Sequence, residues 1–176
     1  MNKLFFFLLL VSIFTMGTLQ AQGDRAPSPS STVMQKVGLT DITIDYSRPG
    51  MKDRTIFAAD GLVPFGQVWR TGANSATKFT ISDAVKIGDG ELAAGSYAIL
   101  TKPGESTWDV HFYPYEGTRW GSYTSAKPSI IVKATAEKTN HTMESFLIYI
   151  DDLRDYSASI VFAWENTVVS LPFKVK

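Results

Sequence analysis

Apolar and polar residues alternate with a period of two along most of this chain. In Asp41-Ile42-Thr43-Ile44-Asp45-Tyr46 the apolar side chains share one face and the polar ones the other. Trp108, Val110 and Phe112 repeat the pattern. Strict alternation over five or six residues predicts a strand with one buried face. The runs Ile160–Trp164 and Val168–Phe173 predict the last two strands, with Glu165-Asn166 as the turn between them. Phe146–Ile150 predicts another. Turn chemistry agrees: Gly88-Asp89-Gly90 separates Val85–Ile87 from Glu91-Leu92, and Lys102-Pro103-Gly104-Glu105 separates Tyr97–Leu100 from Trp108. A short helix or turn fits Arg54–Asp60, and no long stretch has helical periodicity. About nine strands at this spacing predict an all-β, antiparallel β-sandwich, immunoglobulin-like or jelly-roll in its connections.

The N-terminus breaks the alternation. Lys3 precedes a nearly unbroken apolar run, Leu4–Ile13, then a more polar stretch ending in the small residue Ala21. A basic start, an apolar middle and a small residue at the cut predict a cleavable secretory signal peptide over residues 1–21. The run is shorter than the ~20 residues a helix needs to cross a bilayer. Residues 22–31, with Pro27 and Pro29 among small polar residues, read as a polar leader without core contacts. Residues 32–176 then form a single domain, exported to the periplasm or beyond, with no further stretch apolar enough to span a membrane.

Composition narrows the chemistry. The chain holds 17 Lys and Arg against 17 Asp and Glu, and Lys3 is the only charge in the first 21 residues. A near-neutral domain has no electrostatic footprint for nucleic acid. There is no cysteine, so thiol catalysis, thiolate metal sites and disulfides are excluded. The two histidines, His111 and His141, lack ligand spacing such as H-x-x-x-H. No Gly-x-Ser-x-Gly elbow is present, and Asp151-Asp152 with Asp155 lacks the pattern of a calcium loop. No cofactor or metal is implied.

From Tyr46 to Thr77 the chain becomes distinctive. It reads Tyr46-Ser47-Arg48-Pro49, then Asp53-Arg54, Leu62-Val63-Pro64-Phe65-Gly66, and Val68-Trp69-Arg70-Thr71-Gly72-Ala73-Asn74 before Ala76-Thr77. Downstream come Ala94-Gly95-Ser96-Tyr97-Ala98, Trp120-Gly121 and Trp164-Glu165. Over nearly all of residues 22–176 this resembles a bacterial family of secreted proteins known as domain of unknown function 2911. That family commonly has Gly where Asp53 stands. The resemblance implies export and one β-rich domain, and supplies no activity.

Two groups of residues are candidates for a site. Arg48, Arg54, Trp69, Arg70, Thr71, Asn74 and Thr77 lie in or near a few loops, and arginine suits carboxylate, phosphate or sulfate. The other reading has the arginines tying loops to Asp45 or Glu165 while Trp69 anchors the loop in the core. The second group is Tyr113, Tyr115, Trp120 and Tyr123, where aromatic faces beside polar groups suit a sugar. Alternatively, that loop folds over one end of the sandwich and buries Trp120. The reading adopted is a non-catalytic binding module for a carbohydrate or a small anion. The rivals are an extracytoplasmic hydrolase, which needs a carboxylate pair drawn from Glu91, Glu116, Glu144 and Glu165, and a structural or interaction domain of the envelope.

Overall fold

The computed structural model describes residues 26–176, so the segment read as a signal peptide lies outside the described residues, as do the first four of the leader. The strands are β1 (Ser30–Val37), β2 (Thr40–Ser47), β3 (Phe57–Ala58), β4 (Val63–Pro64), β5 (Thr77–Ile81), β6 (Val85–Ile87), β7 (Gly90–Leu92), β8 (Gly95–Lys102), β9 (Thr107–Pro114), β10 (Ile130–Arg154) and β11 (Ser157–Val175). A 3₁₀ turn spans Trp120–Ser125. Nine of the strands form one antiparallel hydrogen-bonded order, β1-β2-β5-β8-β9-β10-β11-β6-β7, and β3 and β4 make a small parallel pair. The order does not close into a barrel.

Alternation explains most of these elements. On β2, Ile42, Ile44 and Tyr46 are buried, and on β9 Trp108, Val110 and Phe112 are. These side chains share one core with Ile160, Phe162, Trp164, Leu171 and Phe173 of β11 and Ile87 of β6. The order therefore folds over into two packed layers. One comprises β1, β2, β5, β8, β9 and the start of β10; the other comprises the rest of β10 with β11, β6 and β7. β10 passes between them: Ile130–Thr135 pair with β9, whereas Ala136 onward pairs with β11.

β10 and β11 also differ from expectation. The turn expected at Glu165-Asn166 is absent, because β11 runs unbroken through both residues. Glu165 takes a left-handed φ of 54°, and the β10–β11 register shifts beside it, between Lys138 and Met143 and again before Leu147. The polar pair is thus a bulge that bends one long strand. The bend carries far enough that the end of β11 returns to the turn before its start, with Val175 N donating to Tyr156 O at 2.9 Å. β10 begins well before Phe146. Its middle, Glu137–Thr142, is largely exposed and polar, so no apolar face marked it. The leader is also shorter than expected. Asn74 Nδ2 donates to Ser28 O at 3.1 Å, Arg48 N to Pro29 O at 2.9 Å, and β1 starts at Ser30. Residues 54–60 hold β3 and a turn, with no helix.

The centre of the core is aromatic. Trp69, Trp108, Trp164, Phe57 and Phe146 come from five separate segments, with ring centroids 4.9–6.2 Å apart. Most pairs meet edge to face; Trp69 and Trp164 stack at 5.7 Å. Tyr46 closes the group at one side. Its hydroxyl accepts from Ile148 N at 3.0 Å and donates to Ile148 O at 3.3 Å, repairing a backbone pair inside the core. Replacing Trp164 by Ala should cost about 3–5 kcal/mol of stability. Tyr46→Phe should cost about 1–3 kcal/mol by orphaning those two groups. Urea denaturation followed by far-UV circular dichroism checks both.

Candidate functional site

Most of the distinctive segment serves the fold. Trp69 exchanges backbone hydrogen bonds with Thr101, at 2.7 and 2.9 Å, so the chain stands beside β8 where β5 has not yet begun. Its indole N–H donates to Gly72 O at 3.1 Å. Thr71 is buried with φ 56° and donates to Thr101 Oγ1 at 3.1 Å, while Thr77 Oγ1 donates to Thr71 O at 2.6 Å. Gly72 has φ 153°, and a Cβ there would stand 3.0 Å from Ser47 O. Asn74, also left-handed, ties the segment to Ser28 and Ser47.

The arginines do not converge. Arg48 Nε donates to Phe146 O at 3.0 Å, and Arg54 donates to Met51 O and Gly50 O, both at 2.8 Å. No arginine forms an ion pair among the described residues. The carboxylates instead hold backbone N–H groups. Glu165 accepts from Ile56 N at 3.2 Å and Phe57 N at 3.4 Å, and Glu144 accepts from Lys52 N at 3.0 Å. Glu91 pairs with Lys176. Three of the four glutamates considered for hydrolysis are thus engaged elsewhere. Lys52 and Asp53 have φ of 50° and 58°. A left-handed backbone accounts for the glycine usual at position 53 in the resembling family, and Asp tolerates that region better than most residues.

Arg70 is different. Trp69 faces the core, so its neighbour Arg70 faces outward. There its guanidinium lies 5.3 Å from the centre of the Trp120 ring. This contact joins the two groups of residues singled out by their sequence pattern. Beneath it, Ala76, Ala98, Leu100, Tyr113 and Tyr123 form a second, smaller cluster on the outer surface of the first layer, with Tyr115 and Trp120 packed against it. The aromatic loop covers this face and buries Tyr123, while Trp120 stays half-buried. The Tyr123 hydroxyl accepts from Glu116 N and Gly117 N at 2.9 and 3.0 Å and donates to Gly117 O at 2.8 Å. Beside the cluster is a cleft of about 250 Å³ lined by Asp45, Lys78 and Tyr115 among others. The Lys78 ammonium lies 5.2 Å from the centre of the Tyr115 ring.

No sequence pattern marks His111 as part of this face. It pairs with Leu100 across β8 and β9, so Arg70 and His111 stand on either side of the Leu100 strand, roughly 10 Å apart at the backbone. His111 Nδ1 is 3.3 Å from the Tyr113 hydroxyl, and the two rings stack at 6.1 Å. Burial lowers the His111 pKa; Asp109 raises it and Lys102 lowers it further. Burial raises the Tyr113 pKa, so the phenol keeps its proton. Arg70 Nε and His111 Nε2 are both buried and both lack a hydrogen-bond partner. The third such atom among the described residues, Trp108 Nε1, lies in the aromatic core. Two unpartnered polar atoms thus flank one apolar residue beside an indole ring. No group of three His, Asp or Glu is placed to hold a metal among the described residues.

His111 has a testable effect on stability. Its folded-state pKa lies below the unfolded value of about 6.5. The neutral ring's contribution is therefore complete above the unfolded value and is lost as pH falls from there through the folded one. Between pH 7.5 and pH 5.5 the denaturant midpoint should fall further for the wild type than for His111→Gln.

A model of the family described as protein of unknown function (DUF2911) matches residues 28–173 of the chain. No curated protein and no solved structure matches.

Proposed function

This chain belongs to that DUF2911 family, and on that premise we propose that it is an exported, non-catalytic binding domain for a carbohydrate or a small anion. The ligand lies on the outer face of the first layer, between Arg70 and His111, with Trp120 and Tyr113 beside it. One observation carries this reading: Arg70 Nε and His111 Nε2 are buried there without protein partners. An unpartnered buried polar atom costs about 1–3 kcal/mol, and a hydroxyl or carboxylate oxygen that reaches it by displacing the covering side chains removes that cost. Arg70 supplies a fixed donor and His111 either a donor or an acceptor according to its tautomer. The half-buried Trp120 ring gives the apolar body of a sugar a surface to rest on. Arg48, Arg54, Trp69, Thr71, Asn74 and Thr77 position the loop and do not touch the ligand.

Thermal-shift screening of residues 22–176 against glycans and organic anions should find a stabilising ligand. Arg70→Gln should weaken its binding about 10–100-fold, the cost of a lost charged hydrogen bond, with little change in the stability of the free protein. Equal binding by wild type and Arg70→Gln would sink the reading. Export is tested separately: the intact mass of protein recovered outside the cytoplasm should lack residues 1–21.

A further inference from the structure

The bend of β11 leaves a basin of about 610 Å³, lined by residues of β6, β10 and β11. It shares no residue with the Arg70–His111 face. Its volume falls in the range of small-molecule sites, about 300–1,000 Å³. Val132 and Pro172 supply apolar surface, and Lys86, Arg154 and Lys174 supply charge.

We propose that this basin binds a small organic anion carrying a phosphate or carboxylate group. Lys86 and Lys174 are directly opposed in the β6–β11 register. Like charges facing each other across a ladder destabilise it, so a sheet under packing demands alone gains by placing an acid at one of them. The carboxylates nearby offset this repulsion only in part. Glu91, opposite Lys86 on β7, binds Lys176 at 3.2 Å. Asp152, which also lines the basin, accepts from Ser159 Oγ at 3.3 Å. Asp109 binds Lys133, the fourth cation of the lining, at 2.9 Å. Arg154 reaches only the carbonyl of Leu153 and has no ion pair among the described residues. Three cations without an ion pair, against one such acid, Asp152, thus line one cavity. A guanidinium with two ammonium groups suits the several oxygens of a phosphate or a multiple carboxylate. The apolar surface gives the carbon body of such a ligand a place to pack.

The test compares thermal unfolding in inorganic phosphate, glucose 6-phosphate and citrate with unfolding in chloride at matched ionic strength, glucose being the neutral control, and every protein in it carries Arg70→Gln so that the outer face does not contribute. The three anions should raise Tm and glucose should not. Lys174→Gln should raise the Tm of the free protein by about 1–3 °C, because it relieves the opposed charges, and should abolish the response to the anions. Arg154→Gln should abolish the response without the rise. The shared Arg70→Gln background separates this basin from the outer face, so that failure here leaves the reading of that face standing. No anion effect beyond that of chloride, or an equal response in the Arg70→Gln parent and its Lys174→Gln/Arg154→Gln derivative, overturns the proposal. Isothermal titration with glucose 6-phosphate measures the same binding independently of unfolding, with heat of binding expected for the Arg70→Gln parent and none for its Lys174→Gln/Arg154→Gln derivative.

Discussion

The packing of Trp69, Trp108, Trp164, Phe57 and Phe146 is the contact on which the rest of the molecule depends. Each ring arrives from a different part of the chain: the loop before β5, β9, β11, β3 and β10. None of these segments could bury its own aromatic alone. Two-layer folds need residues that commit both layers to one relative position, and large flat rings meeting edge to face do so more stringently than branched aliphatics. With no cysteine to staple the layers, this knot takes the place of a cross-link through packing. It also tolerates one unpartnered indole N–H, that of Trp108.

This explains why the most distinctive stretch of sequence is mostly architectural. Trp69 enters the knot, Thr71 and Thr77 fix the backbone that brings it there, and Gly72 and Asn74 supply left-handed turns. Arg48 and Arg54 satisfy carbonyls where the chain crosses to β10, and Glu144 and Glu165 satisfy the facing N–H groups. Donors and acceptors at this junction are matched through the backbone, so no ion pair is needed to hold it. Only Arg70 is left over. It points the opposite way from Trp69 because successive residues of an extended chain alternate, and the outward side is where the aromatic loop lies.

The two-layer class, the alternating strands and the tight hairpins were legible because each has one buried face or a glycine-bearing turn. β10 was not, since a strand exposed on both faces through Glu137–Thr142 has no period to read. β11 was split in two because a bulge and a turn interrupt apolar alternation identically; only the φ of Glu165 and the ladder across it tell them apart. The candidate site was legible only residue by residue. Arg70 and Trp120 were both singled out, yet nothing local shows that residues so distant in the chain would touch. His111 looked like an ordinary polar strand position, and its significance comes from what surrounds it on β8 and in the loop. The opposed lysines at positions 86 and 174 were invisible for the same reason, because register between distant strands is a property of the fold.

The meeting of Val175 with Tyr156 bears on the order in which the molecule can be assembled. β1 with β2, and β8 with β9, are neighbours in sequence and can pair as soon as both strands are available. The curl of β11 joins positions 156 and 175 only after its whole length has bent around a core contributed by earlier strands. Contacts of that kind form late and slowly. A chain made from its N-terminus can therefore display the outer face of the first layer while its basin does not yet exist. For a time it also leaves the apolar residues of β11 uncovered, and a protein that crosses a membrane before folding would have to complete that last closure on the far side.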